Sequence, residues 1–329
     1  MHISGTTRVF LILGDPVAQV RAPEVFNPLF AQAGIDAVLV PMQVPAGQLD
    51  AFVRGVFQAR NVDGLWVTIP HKTALPGLLD VCDLSGSTAE AVNAVRRNAD
   101  GTIEGALFDG IGFAKALDHF GIACTGARVL VVGAGGAGVA IGCALVQRDL
   151  AELSIHDVDA DRAAAAADRL RSISSVRIST PPSADPAGHY LVINATPLGL
   201  RDDDPMPFDV RRLDGSAAVV DILMKDATTP LLRACTARGI TAHAGHEMLI
   251  QQVPEYLRFF GFEALARATQ ADLEPVRALM RADAQAVVPA LPRADPRSAA
   301  LARTLAFSVP TPTAHGATSP VSLTSGDHP

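Results

Sequence analysis

Short aliphatic runs recur along the first third of the chain. Residues 9–13, 37–42 and 64–68 are dense in Val, Leu and Ile and too short for helices, so they predict buried strands. Between them, residues 23–33, 46–59 and 71–80 space their apolar positions as helices do. Residues 92–97 and 102–104 flank the polar stretch Asn98-Ala99-Asp100-Gly101, which predicts a hairpin. A second alternating series begins at Ala127, with strands predicted at 128–132, 152–157, 190–194 and 217–222. Its helices fall at 136–148, 159–171 and 229–238, and five consecutive alanines from Ala163 strengthen the middle one. Residues 246–260 and 263–284 predict two closing helices. Strands alternating with helices specify βαβ units and largely parallel sheets, so the fold class is α/β.

At 329 residues the chain accommodates two domains of ordinary size. From about Val287 the composition shifts to Pro, Ser, Thr and Ala, which cannot bury enough apolar surface to offset ordering, so 286–329 is expected to be a disordered tail. A formal net charge of -7 argues against nucleic acid or an anionic membrane as partner, while leaving room for an anionic small molecule held by a local cation. Cys82, Cys124, Cys143 and Cys235 are widely spaced and suggest neither a zinc site nor a disulfide framework. The first apolar run is too short for a signal-peptide core, and a cytoplasmic location is expected. The histidines offer no metal-ligand spacing: His243 and His246 are close, but no third ligand type is near, so no metal is expected.

Chemistry first shows at Val132-Gly133-Ala134-Gly135-Gly136-Ala137-Gly138, where a buried strand passes into a helix. The run fits G-x-G-x-x-G through Gly133, Gly135 and Gly138. The first glycine permits a tight turn, the second lets backbone approach a pyrophosphate, and the third lets helix and strand pack closely. The helix N-terminus adds free N–H groups and partial positive charge. The next strand ends at Asp157, 19 positions beyond Gly138, where a carboxylate holds the ribose 2′-hydroxyl of NAD and repels the 2′-phosphate of NADP. NAD is therefore the expected cofactor, with NADP disfavoured; Arg162 is the nearby cation that weakens the preference.

A dehydrogenase also needs an acid–base group beside the reacting carbon. Three segments stand out: Val67-Thr68-Ile69-Pro70-His71-Lys72, Ala91-Val92-Asn93 and Asp109-Gly110-Ile111-Gly112. Together with Gly14-Asp15-Pro16-Val17-Ala18, the glycine turn, Ile193-Asn194-Ala195-Thr196-Pro197, Val220-Asp221, Thr229-Pro230-Leu231 and the stretch from Gly245 through Met248 to Gln252, they give the chain a pattern over about residues 8–280 that resembles the shikimate and quinate dehydrogenase family. The resemblance implies a substrate-binding α/β domain (1–112 and 245–285), a Rossmann dinucleotide domain (113–244) and C-terminal helices returning to the first domain, with the active site between them. It implies Lys72 and Asp109 as catalytic pair, and Thr68, Asn93 and Gln252 as substrate contacts. It also places Asn194, Thr196, Pro197, Gly245 and Met248 beside the cofactor with the glycine turn and Asp157.

Several positions depart from the family pattern. Two serines that bind a substrate carboxylate in the family are here Val20 and Ala22; an asparagine is Trp66, a threonine is Phe108 and a tyrosine is Met224. A buried polar group without its partner costs on the order of 1–3 kcal/mol, so these changes predict a flatter, more apolar pocket. Arg21, His246 and Glu247 are the nearby candidates to replace the lost contacts. The expected reaction is reversible hydride transfer between NAD and a ring alcohol or ketone, with a cyclic hydroxy acid or a less hydroxylated ring alcohol as substrate, in a monomer or homodimer. A true shikimate or quinate dehydrogenase is the first alternative. A non-catalytic NAD or metabolite sensor is the second, and retention of both Lys72 and Asp109 argues against it.

Overall fold

The computed structural model describes residues 3–225 and 228–281; the expected tail at 286–329 lies outside the described residues. Its first sheet is built from β1 (Arg8–Gly14), β2 (Ala37–Gln43), β3 (Val62–Val67), β4 (Val81–Cys82), β5 (Ala94–Arg97) and β6 (Ile103–Ala106), in the order β2-β1-β3-β5-β6-β4. β1 pairs in parallel with β2 and β3, while β5 runs antiparallel to both β3 and β6. Alternate side chains serve two cores, as strand geometry requires. Leu11, Leu13, Leu65 and Val67 meet Leu49 and Val53 of α2 (Leu49–Val56). Phe10, Ile12 and Trp66 meet Phe26 and Phe30 of α1 (Ala22–Gln32) together with residues of the closing helices.

The second sheet is wholly parallel. It comprises β7 (Arg128–Val132), β8 (Glu152–His156), β9 (Arg177–Ser179), β10 (Leu191–Asn194), β11 (Ala218–Asp221) and β12 (Thr241–Ala244) in the order β12-β11-β10-β7-β8-β9. This is the doubly wound order, in which the chain reverses direction between β7 and β10 and opens a crevice at their carboxyl ends. Val129, Val131 and Ile193 pack on one face, Leu130, Val132 and Val192 on the other, so the strands read as continuous apolar runs. Helices α5 (Gly136–Leu145), α6 (Ala160–Ile173) and α7 (Pro230–Ala237) connect them. Among the described residues no helix is long and apolar enough to cross a membrane.

The remaining helices are α3 (Leu84–Ala89), α4 (Asp109–Phe120), α8 (His246–Phe259), α9 (Glu263–Ala271) and α10 (Glu274–Arg281). Two expectations need correction. Residues 71–80 form two short 3-10 turns, His71–Thr73 and Pro76–Leu78, because Pro76 and Gly77 interrupt any longer helix. The expected helix at 263–284 is two helices: the Asp272 side chain accepts from the Glu274 N–H at 2.9 Å and Pro275 follows, so the chain turns and restarts. Short or polar elements, β4, β9, β12 and α3, carried too little periodicity to be read from the sequence.

α4 explains the glycines that follow Asp109. A Cβ at Gly110 would overlap the Ala140 carbonyl oxygen of α5, and one at Gly112 would stand 2.5 Å from the Met248 carbonyl oxygen of α8. Hydrogen side chains at both positions let one helix lie close against two others. The domain limit expected after residue 112 therefore falls within α4.

Candidate active site

Lys72 follows β3 in the first 3-10 turn, which is pinned from below. The His71 ring, 1% exposed, bonds through Nε2 to the Val44 carbonyl at 2.7 Å, and the Val92 N–H donates to the Lys72 carbonyl at 2.9 Å. Held this way, Lys72 Nζ donates to Asp109 Oδ2 at 2.7 Å; the lysine side chain is 25% exposed and the carboxylate 3%. Asp109 opens α4, where a negative charge is favoured by the helix dipole.

Two amides complete the cluster. Asn93 Nδ2 donates to Asp109 Oδ1 at 3.3 Å and to Gln252 Oε1 at 3.2 Å, while Gln252 Nε2 donates to Asp109 Oδ1 at 3.3 Å. Asn93 Oδ1 accepts from the Phe108 N–H at 3.1 Å, fixing the residue before the aspartate. The turn after β3, the start of α4, the residue before β5 and the middle of α8 thus supply one network. A carboxylate receiving several donors is fixed in one orientation and holds its lysine in place. Thr68 lies at the end of β3, beside Gly14, with its methyl 2.8 Å from where a glycine Cβ would stand.

The remaining expected substrate positions divide by layer. Trp66 is 2% exposed and belongs to the core, stacked on Tyr256 (5.4 Å between centroids) and Phe260 (4.2 Å). Val20, Ala22 and Phe108 are partly exposed and pack on that same aromatic cluster. Tyr256, which belongs to no sequence motif, is also partly exposed: it meets Phe108 edge-on at 5.1 Å and its hydroxyl donates to the Asn93 carbonyl at 3.3 Å. Burial, and then the Asp109 charge, raise its phenol well above the ordinary 10.0, so it stands as a neutral hydroxyl. Its position four residues after Gln252 was the available signal, since such residues share a helix face.

Two of the three candidate replacements for lost polar contacts are otherwise engaged. Arg21 Nε donates to Glu24 at 2.6 Å and its Nη2 to the Met280 carbonyl at 3.3 Å. Glu247 is buried and receives Arg277 at 2.6 and 3.1 Å and Gln251 at 2.8 Å, so it ties α8 to α10. His246 is the first residue of α8 and half-buried. Met224 is exposed.

The glycine turn sits at the crevice of the second sheet. Gly133 has φ +108, and a Cβ there would lie 2.7 Å from the Ala195 carbonyl oxygen; a Cβ at Gly138 would overlap the Gly133 carbonyl oxygen. Gly135 faces open space, the room a pyrophosphate needs. The first N–H groups of α5, from Gly136, Ala137 and Gly138, have no carbonyl earlier in their helix to bond and suit phosphate oxygens. Asp157 accepts from the Ala134 N–H at 2.8 Å through Oδ2 and from the Asp159 N–H at 3.0 Å through Oδ1; Arg162 stands 3.8 Å away. These residues fit a dinucleotide.

Asn194 and Thr196 shape the opposite wall rather than project into it. The Asn194 amide donates to Asp221 at 3.0 Å and to the Leu198 carbonyl at 3.1 Å, and its oxygen accepts from the Thr196 hydroxyl at 2.6 Å. Thr229 donates to the same Asp221 at 2.6 Å, and burial raises the Asp221 carboxyl above its ordinary range. Pro197, exposed, follows on this wall. Gly245 lets α8 start close beneath β11's end: a Cβ would lie 2.6 Å from the Ile222 backbone. Met248, 4% exposed, packs behind it. The two halves of the site adjoin, because a Cβ on Gly136 would come 3.2 Å from Ala91 and 3.8 Å from Thr73, next to Lys72.

A doubly wound sheet with a dinucleotide turn, set beside a lysine bonded to a buried aspartate, defines an oxidoreductase of the nicotinamide type. Comparison with known proteins narrows the class. Residues 12–95 match the family described as the shikimate dehydrogenase substrate binding domain. A shikimate dehydrogenase (NADP(+)) of Rubrobacter xylanophilus is 36% identical over 262 residues, covering 78% of this chain and 92% of the relative. The crystal structure of shikimate dehydrogenase from Aquifex aeolicus aligns with TM-score 0.75 at 26% identity, over 85% of this chain and 100% of that one. Quinate dehydrogenase from Corynebacterium glutamicum, in complex with NAD, aligns with TM-score 0.72 at 25% identity, over 83% and 98%. The chain belongs to the shikimate dehydrogenase family of NAD(P)-dependent oxidoreductases acting on CH–OH groups.

Proposed function

We propose that the chain interconverts a ring alcohol and its ketone, preferring NAD to NADP, with Lys72 and Asp109 as acid–base pair. The substrate class is that of cyclic hydroxy acids and less hydroxylated ring alcohols. The observation that carries the reading is the 2.7 Å bond from Lys72 Nζ to buried Asp109, next to the glycine turn. The nicotinamide, when bound, supplies or takes the hydride. Lys72 stabilises the charge that develops on the carbonyl oxygen and gives it a proton from Nζ; in the oxidative direction neutral Lys72 accepts one. Asp109 orients the ammonium and offsets its charge, and Asn93 and Gln252 hold that carboxylate while their remaining polar atoms meet ring hydroxyls. On this reading the first sheet with α8 to α10 (1–112 and 245–285) forms the substrate lobe and 113–244 the dinucleotide lobe.

The cofactor preference rests on Asp157. A 2′-phosphate at the end of β8 would meet its carboxylate, whereas a ribose hydroxyl can donate to it. The relative named for NADP(+) makes NADP the competing expectation, and the NAD-bound quinate dehydrogenase makes NAD a cofactor within the same fold. A second reading, shikimate itself as substrate, draws on the names of the relatives and on Thr68, Asn93 and Gln252 being kept. Reduced-nicotinamide absorbance, followed with each dinucleotide against shikimate, quinate and a panel of cyclic hydroxy acids and ring alcohols, tests all of this. NAD is expected to exceed NADP in kcat/KM by at least about tenfold, roughly one ion-pair interaction's worth. A preference for NADP overturns the cofactor assignment, and efficient shikimate turnover near ~10⁵ M⁻¹s⁻¹ favours the second reading.

A further inference from the structure

The polar cluster around Lys72 is bordered by an aromatic wall that the reaction does not by itself require. The Tyr256 hydroxyl bonds the Asn93 carbonyl, Phe108 meets the Tyr256 ring edge-on at 5.1 Å, and the Asn93 side chain bonds Asp109, so the aromatic pair lies one residue from the acid–base pair. Behind Tyr256 lies Trp66, stacked at 12° between planes and itself flanked by Phe10 and Phe26, so the tyrosine ring cannot retreat into the core. Val20 and Ala22 extend the apolar surface of the same cluster.

The charges near this wall are committed. Lys72 is balanced by Asp109, and Arg21 is bonded to Glu24 and the Met280 carbonyl. An organic carboxylate pressed against the wall would give up water without gaining a cation, which is costly. The Tyr256 phenol differs. Its proton points to the Asn93 carbonyl at 3.3 Å, which leaves the oxygen's lone pairs to accept a hydrogen bond. A ring hydroxyl donates such a bond and a carboxylate does not.

We propose that Tyr256 is a specificity-determining residue of this site: its ring, backed by Trp66 and edged by Phe108, takes the face of an uncharged ring substrate, and its phenol oxygen accepts a hydrogen bond from a ring hydroxyl. The inference rests on the ring-alcohol reading above and narrows it to substrates without a carboxylate at the end that meets this wall.

Matched acid–ester pairs, which differ in the carboxylate charge and one added methyl, test it. Calorimetric Kd is measured on the full chain for quinate against methyl quinate and for shikimate against methyl shikimate, and turnover of each is followed separately. Each ester is expected to bind at least about tenfold more tightly than its acid, equivalent to ~1.4 kcal/mol. Tyr256→Phe keeps the ring and removes the acceptor, so ester affinity is expected to fall about three- to tenfold, with KM rising more than kcat falls. Trp66, the chain's single tryptophan, reports engagement of the wall by a fluorescence change on ester binding. Acids binding as tightly as esters, or no binding by either, overturns the proposal, as does Tyr256→Phe leaving the ester Kd unchanged. Binding in the expected order without turnover on either dinucleotide would instead count against the ring-alcohol oxidoreductase reading.

Discussion

Lys72 and Asp109 are separated by 37 positions yet share a 2.7 Å hydrogen bond, with Asn93 and Gln252 closing the network around the carboxylate. All four residues were named from the sequence through the family resemblance, since on their own Lys72 reads as a solvated lysine, Asn93 as a strand-end amide and Asp109 as a helix N-cap. Tyr256 was not, since an aromatic residue on an amphipathic helix reads as core until its hydroxyl is seen beside Asn93. Glu247 was legible as unusual and misplaced in role: its bonds to Arg277 and Gln251 hold α10 on α8. Burial alone would raise the Glu247 carboxyl, but those bonds outweigh it and the folded value lies below the ordinary 4.5. A depressed carboxyl contributes stability above 4.5 and loses it as pH falls through the folded value. Thermal unfolding of wild type and Glu247→Gln as a function of pH is expected to show a wild-type advantage above pH 4.5 that shrinks below it. A gap that persists unchanged down the acid limb contradicts the assignment.

At the scale of elements, the apolar runs of β1, β3, β7, β8, β10 and β11 were read within a residue or two, because strands covered on both faces carry a dense signal. Three-residue β9, two-residue β4 and the polar β12 carry none, and prolines in 70–76 turn a helical spacing into 3-10 turns. The glycines after Asp109 read as a motif, but their reason lies in tertiary packing: α4 approaches α5 at Gly110 and α8 at Gly112. Gly110→Ala would force a methyl group onto the Ala140 carbonyl, and overpacking of this kind costs about 1–3 kcal/mol. The expected outcome is a lowered Tm by calorimetry together with a fall in kcat, because any retreat of α4 carries Asp109 away from Lys72. An unchanged Tm and kcat would show that α4 has room the packing does not indicate.

Across the whole molecule, two sheets divide the work. The doubly wound sheet presents the glycine turn and Asp157 at the carboxyl ends of β7 and β8, and the mixed sheet presents Lys72 after β3. α4 and α8 join them, and each carries a member of the central cluster, Asp109 and Gln252. The two-lobe plan was legible because dinucleotide turns and alternating βαβ runs are local signals. Of the proposed substrate wall, Phe108 and Trp66 were named from the sequence and Tyr256 was not, because the wall is assembled from three distant segments. As the proposed acid–base group, Lys72 acts in chemistry and not in holding the dinucleotide. Steady-state turnover of the best ring alcohol, measured beside the Kd of NAD for wild type and Lys72→Ala, tests this most directly. With Lys72 in that role, kcat is expected to fall about a hundredfold or more, as for other positioned acid–base groups, with NAD affinity within about threefold. Turnover within about threefold of wild type, or a loss explained by weakened NAD binding, contradicts it.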